Sequence, residues 1–241
     1  MRRIIELTPA APALGLAVDE ALLRFAEGHG PTVRAWINEW AVVVGRSQIA
    51  SEEADLAACA TKNIPVLQRI SGGGAVVHHR GNLNLSVVAA GWGQGHGVAR
   101  TFDVLGGAVA AALRGMGLPV MHAGSDLLAA DRRKIGGGAQ ARRRGVLWHT
   151  TLLIDRDTIP MASLLLAMRP GYRPSRVASR PTPTVTVTEL LGRSPSIEQI
   201  AVEATAALAK ALQEKPQAGA LADEEAAWAL RRAAALAENA P

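Results

Sequence analysis

The sequence holds one cysteine, Cys59, in 241 residues. An intrachain disulfide is therefore excluded, as is a metal site built from several thiolates. Aromatic residues make up only 3% of the chain, so a core must be assembled from alanine, valine, leucine and isoleucine. Few rings are left for the stacking surfaces that bind single-stranded nucleic acid. No apolar run reaches 18 residues, which leaves no candidate membrane-spanning helix. Met1-Arg2-Arg3 leads into Ile4-Ile5-Glu6 without the apolar segment of a secretory signal. With no disulfide to form, a reducing, cytoplasmic location is the expectation. Lysine is scarce too: Lys62, Lys134, Lys210 and Lys215 are the full set, and the other 22 of the 26 basic residues are arginines.

Hydrophobic residues make up 49% of the chain, enough for a sizeable core. The formal net charge of +5 and isoelectric point of about 10.1 favour anionic partners: nucleotides, nucleic acids, acidic domains or anionic membranes. No internal repeat or composition shift divides the chain, so residues 1–241 are expected to form a single domain.

Leu14, Val18, Leu22 and Phe25 recur at helical spacing over residues 12–28, and Gly28 and Gly30 stop the helix. Strands are expected at 33–37, 41–44, 66–69, 75–78, 83–90, 126–130 and 146–154. Further helices are expected at 52–61, with Ser51 as N-cap, and at 98–116, 160–168, 196–213 and 222–238. The Pro-, Arg- and Ser-rich stretch 170–183 reads as a mobile loop. Hairpin-like strands punctuated by helices, without regular strand–helix alternation, predict an α+β fold with mixed, largely antiparallel sheets and flanking helices.

Two glycine-rich segments carry the chemistry. In Arg69-Ile70-Ser71-Gly72-Gly73-Gly74-Ala75-Val76-Val77-His78, three glycines leave backbone N–H groups unshielded, so several amides can converge on one anion. Arg69 can add a forked positive charge. In Lys134-Ile135-Gly136-Gly137-Gly138-Ala139-Gln140, an ammonium sits beside three more glycines. Taken singly, each segment also reads as a tight turn. Neither matches the spacing of a P-loop or a dinucleotide fingerprint. Asn82, Asp126 and His149 place polar groups in otherwise apolar strands. His78 and His79 project to opposite faces of a strand, a poor arrangement for shared metal ligation, so no protein-bound metal is expected. Arg132-Arg133 and Arg142-Arg143-Arg144 carry no interleaved aromatics and read as solvated turns, so nucleic acid is not an expected partner.

Together these segments resemble the lipoate–protein ligase family, within the broader biotin/lipoate ligase and octanoyltransferase superfamily. Val42-Val43-Val44-Gly45-Arg46-Ser47-Gln48 is similar to the family's apolar strand followed by G-R-x-Q, and Arg69 to Asn82 to its R-x-S-G-G-G-A-V-x-H-x-x-G-N block. Asp126-Leu127, the Lys134 block and His149 to Leu153 are similar to the segments that follow, and the resemblance spans roughly residues 12–190. It implies the fold shared by biotin ligases and the catalytic cores of class II aminoacyl-tRNA synthetases. It implies that Lys134 contacts the acyl carbonyl and the adenylate phosphate. Arg69 and the amides of Gly72, Gly73 and Gly74 would bind the phosphate and the acyl carboxylate, with Ser71, Ala75 and His78 in the same loop and strand. Asn82, Asp126, Gly136, Gly138, Ala139 and His149 would shape the adenylate or acyl pocket. His79 and Gln68 stand where many members carry aspartate and a second arginine.

The resemblance further implies ATP, substrate-bound Mg²⁺ and lipoate as cofactors and substrates, and an apo lipoyl domain as acceptor. A monomer is expected, without the small C-terminal accessory domain of longer ligases; either a separate accessory polypeptide would supply it or the enzyme would work without it. An octanoyltransferase needs an activated cysteine, which such enzymes carry near the lysine strand or well after it. Residues 120–133 contain none, none follows, and Cys59 falls in an early helix, which favours the ligase.

Overall fold

Val33, Ala35 and Ile37 face one apolar cluster while Trp36 faces another. This period-two alternation places their strand in the middle of a sheet covered on both sides. The computed structural model describes residues 1–92, 95, 97–156 and 158–238. The strands are β1 (Arg2–Ala10), β2 (Thr32–Asn38), β3 (Ala41–Val44), β4 (Val66–Gln68), β5 (Val76–His78), β6 (Asn82–Ala90), β7 (Val120–Ala123), β8 (Asp126–Ala129), β9 (Lys134–Arg142), β10 (Gly145–Leu153) and β11 (Gln217–Ala218). The helices are α1 (Pro12–His29), α2 (Ala50–Glu53), α3 (Leu56–Thr61), α4 (Val98–Gly115), α5 (Val187–Leu191), α6 (Ile197–Ala211) and α7 (Asp223–Glu238).

The main sheet runs β11-β1-β2-β6-β10-β9-β8-β7. Only β1 pairs in parallel, with β11 and β2; every other pairing is antiparallel. Leu105, Val109 and Leu113 of α4 and Ile200, Ala204 and Leu208 of α6 cover one face. Leu16, Leu22 and Ala26 of α1, with Ala229 and Leu236 of α7, cover the other. A second sheet, β4-β3-β5, packs with α3, Leu164 and Leu165 in its own cluster. The α+β class and the largely antiparallel sheets agree with the sequence pattern.

Several local expectations change. The helix expected at 52–61 is two short helices, because Ala54 is extended and bridges to Leu165, and Asp55, not Ser51, caps α3 by accepting from the Ala58 amide. The same bridge breaks 160–168 into two 3₁₀ turns. The glycine-rich segment after Lys134 is neither a loop nor a turn but the strand β9. Strands β1, β7 and β11 and helix α5 were not expected from the sequence pattern.

Candidate functional site

Sheet register assembles one wall of a cavity of about 960 Å³. Trp36 lies opposite Asn84, Asn84 opposite Thr151, Thr151 opposite Gly137, and Gly137 opposite Asp126. One step along, Arg34, Ser86, His149 and Ala139 form a parallel row. Directly opposed residues share a face, so both rows look out on the same side of the sheet. Lys134 joins them through a register shift: Leu127 pairs with Gly136, but Leu128 pairs with Lys134. The extra residue, Ile135, turns into the apolar core, fully buried. Such a bulge reverses the in–out alternation and re-aims the next side chain. The Lys134 ammonium thereby reaches Asp126 Oδ1 at 2.7 Å, with both side chains partly exposed. Gly137 leaves the space for it, since a Cβ there would stand 2.7 Å from both Lys134 Cε and Nζ.

The glycine-rich loop between β4 and β5 forms the opposite wall. Gly73 has φ +89, a left-handed conformation in which other residues are strained. Arg69 is buried, and four of its donors are engaged within the protein: Nε on Ser71 Oγ (2.9 Å), Nη1 on the Val43 carbonyl (3.1 Å), and Nη2 on the carbonyls of Gly72 (2.7 Å) and Gly74 (2.8 Å). Burial lowers its guanidinium pKa to about 10, so the charge persists. These bonds make it a brace shaping the loop, while the residue also lines the cavity. The Gly72 amide donates to the Gln140 carbonyl, and the Ala75 amide to Ser179 Oγ. The amides of Gly73 and Gly74 have no acceptor among the described residues. Both residues line the cavity, so these amides are the loop donors placed to meet an anion there.

Residues 177–184 close the cavity on a third side. Read as mobile from composition, this stretch is anchored at a buried carboxylate. Glu53 Oε1 accepts from the Tyr172 hydroxyl and Glu53 Oε2 from Ser179 Oγ, each at 2.6 Å. Gln48 Nε2 adds bonds to the Val177 carbonyl and Ser179 Oγ.

Of the residues singled out in the sequence, Arg69, Gly73, Gly74, Ala75, His78, Asn82, Asp126, Lys134, Gly136, Gly138, Ala139 and His149 line the cavity. Ser71 and Gly72 lie behind the wall, Ser71 reaching His149 Nε2 at 2.7 Å. His78 is held neutral: burial above all, with the positive charge of Arg69 adding to it, lowers its pKa to about 3. The network fixes the tautomer. Thr151 donates to Asn84 Oδ1 (2.7 Å), so His78 Nε2 donates to Thr151, and Nδ1 accepts from Asn38 Nδ2, both at 3.3 Å. Asn82 Oδ1, Asn84 Nδ2 and Thr150 Oγ1 are buried and have no protein partner among the described residues. Among the described residues no three His, Cys, Asp or Glu side chains cluster as a metal site. Cys59 does not line the cavity; it lies in the small sheet's apolar cluster, where burial raises its thiol pKa.

The sequence pattern missed Asp19, Trp36, Glu53, Gly137 and Ser179. Asp19 carried a signal: a carboxylate between Leu16 and Leu22 on the apolar stripe of α1.

Residues 11–209 match the sequence model of the lipoyl protein ligase A/B catalytic domain. The chain belongs to that family. This lipoyl protein ligase A/B domain is 30% identical over 176 residues to lipoate-protein ligase A subunit 1 of Thermoplasma acidophilum, an alignment covering 68% of this chain and 66% of that protein. It is 29% identical over 239 residues to the octanoyltransferase LipM of Symbiobacterium thermophilum, covering 87% of this chain and 86% of the other. The chain thus spans just under two thirds of the archaeal ligase's length and more than four fifths of the transferase's. Among solved structures, one of the bi-partite lipoate protein ligase and its E2 lipoyl domain from T. acidophilum superposes with a TM-score of 0.80 at 25% identity, covering 97% of this chain and 92% of that one. A lipoate-protein ligase A bound with ATP gives 0.79 at 26%, covering 97% and 95%. Biotin protein ligase of Aquifex aeolicus gives 0.52 at 12%, covering 88% and 69%, which shows the shared fold. No helix among the described residues is long and apolar enough to cross a membrane.

Proposed function

We propose that this chain is an ATP-dependent lipoate–protein ligase. It activates lipoate or octanoate as the acyl-adenylate and passes the acyl group to a lysine of a lipoyl-domain acceptor. The observation that carries the reading is the pairing of a cation with free amides and the lack of a thiol beside them. Lys134 and the donors of Gly73 and Gly74 line one cavity, while the chain's one cysteine is buried in a different cluster.

The substrate carboxylate attacks the α-phosphorus of ATP, forming a P–O bond and expelling pyrophosphate. The acceptor amine then attacks the mixed anhydride at carbon, forming the amide and releasing AMP and a proton. Neither step requires a protein nucleophile; positioning and charge stabilisation suffice. Lys134 would neutralise charge developing on the phosphate and the carbonyl oxygen. The loop amides would hold the anionic end, and residues 177–184 would keep water from the anhydride. Asp126, the acidic side chain on the cavity wall, is already held by Lys134, so magnesium would enter on the phosphates of ATP as part of that substrate. Residues 1–241 form one catalytic domain in this reading, with a separate accessory polypeptide among its partners. The bi-partite T. acidophilum ligase supports that arrangement.

The octanoyltransferase LipM relatives, aligned over 86% of the Symbiobacterium protein's length, favour a second reading: transfer of octanoate from a carrier thioester. Intact-mass analysis of an apo lipoyl domain separates the two. A lipoyl mass shift that requires ATP and is lost in Lys134→Ala supports the ligase. A shift obtained only from octanoyl carrier protein without ATP overturns it.

A further inference from the structure

Asp19 of α1 is 2% exposed and connects three parts of the cavity wall. Its Oδ1 accepts from Arg34 Nη1 at 2.9 Å. Its Oδ2 accepts from Ser86 Oγ at 2.6 Å and lies 3.5 Å from His149 Nδ1. Each partner extends the connection. Ser86 Oγ accepts the indole N–H of Trp36 at 3.1 Å, and the Arg34 guanidinium lies over the same indole, 4.6 Å from its centroid. Arg34 also donates to the Gly15 carbonyl and to Glu6. On the other arm, His149 Nε2 meets Ser71 Oγ at 2.7 Å, and Ser71 accepts from Arg69, the brace of the glycine loop. Trp36 and His149 both line the cavity.

Donor directions favour one form of the imidazole. Ser71 Oγ receives Arg69 Nε–H, and among the described residues its own hydrogen has no acceptor other than His149 Nε2. Ionised Asp19 can only accept. A neutral ring with its hydrogen on Nδ1 satisfies both neighbours. Burial would raise the Asp19 carboxyl pKa, but the hydrogen bond from His149 and the charge of Arg34 outweigh it and hold the group below its ordinary range. Tying α1 to the sheet would require only the Arg34 pair. The second oxygen instead serves two paths, each ending on a cavity-facing ring.

We propose that Asp19 is a positioning residue for the acyl substrate: it fixes the Nδ1–H form of His149 and, through Ser86, the indole of Trp36, and so sets the cavity wall and the seat of the glycine loop. This rests on reading the cavity as the acyl pocket.

The test compares wild type, Asp19→Asn and Ser86→Ala by ¹⁵N spectra of the histidine rings and tryptophan indoles, and by lipoate affinity and steady-state kinetics. Wild-type His149 is expected as the Nδ1–H tautomer at neutral pH. Asp19→Asn is expected to mix the tautomers, shift the Trp36 indole signal, and raise Kd and KM for lipoate by about tenfold or more, with kcat changed far less. Ser86→Ala leaves the Asp19–Arg34 pair in place and is expected to move the Trp36 signal alone. Unchanged ring and indole signals in Asp19→Asn, or a lowered Tm with unchanged lipoate affinity, would overturn the positioning role. A wild-type chain with the expected ring state that binds neither lipoate nor octanoate would overturn the acyl reading of the cavity instead.

Discussion

Lys134 reaches the cavity because of two neighbours that carry no charge. Ile135 sits in a bulge that turns the lysine toward Asp126, and Gly137 leaves the space across which the side chain lies. The ammonium is therefore fixed by backbone geometry as much as by its ion pair. Lys134→Ala is expected to lower the rate of acyl-adenylate formation by about 10²–10³-fold, the usual effect of removing one preorganised charge-stabilising group. Gly137→Ala is the more discriminating change. Its new methyl would clash only with the far end of a flexible lysine, with Asp126 Oδ1 at an ordinary 3.5 Å, so the fold should accept it and Tm should move little. The displaced ammonium should still lower the adenylation rate by about 10²-fold. Pyrophosphate release with lipoate and ATP, read beside a melting curve, checks both. A Gly137→Ala enzyme of full activity would show that Lys134 needs no such groove.

At the scale of elements, the segment from Tyr172 to Thr184 is a wall whose anchor is Glu53, a carboxylate with no exposed surface. Ser179→Ala would leave Glu53 Oε2 without its 2.6 Å donor and free the Ala75 amide. An unsatisfied buried group of this kind costs about 1–3 kcal/mol, enough to loosen the wall without unfolding the sheet. The expected outcome is more AMP released per lipoyl group transferred, because water reaches the anhydride. Unchanged coupling between AMP and product would remove the sealing role. The anchor was invisible in the sequence, where Glu53 sits in a polar run and residues 170–183 have the composition of a free loop. Strand β9 was hidden for a related reason. Three glycines weaken a strand, yet here they leave room for the Thr151 carbonyl, the Lys134 side chain and the His149 carbonyl, so the pairing partners decide. Elements with ordinary signals were legible, among them the α1 stripe, the buried run of β6 and the apolar β10. So were the two glycine-rich segments, because an anion cradle requires exposed amides wherever it occurs. What composition could not supply was the inside of the network. Arg69 lines the cavity as expected, but the four carbonyl and hydroxyl acceptors that also hold it in the loop have no signature in the sequence.

The whole molecule is closed by charge at its two ends. Arg2 of β1 holds Glu225 of α7 through two bonds of 2.6 and 2.7 Å, and Arg232 reaches back to Glu20 of α1 at 2.7 Å. Burial works to raise the Glu225 carboxyl pKa, but bonds from Arg2 and the Ala222 amide outweigh it and leave the group below its ordinary 4.5. A depressed folded pKa gives stability that is complete above the unfolded value and is lost as pH falls toward the folded one. For Glu225 that loss begins near 4.5. His78 obeys the same sign at higher pH: its ordinary value of 6.5 falls to about 3 when it is buried neutral, so the unfolded chain gains a proton that the folded chain refuses. Its contribution therefore starts to disappear below about pH 6.5, before any carboxylate is involved. Between pH 7 and pH 5 that single group should cost about 2 kcal/mol. Urea unfolding across this range is expected to show the wild-type midpoint falling. His78→Gln should flatten the curve above pH 5, whereas Glu225→Gln should lower the plateau and leave the slope above pH 5 unchanged. If His78→Gln instead keeps the wild-type slope, the proton taken up on unfolding belongs to another histidine, and His78 is not the group that sets the first step of acid loss.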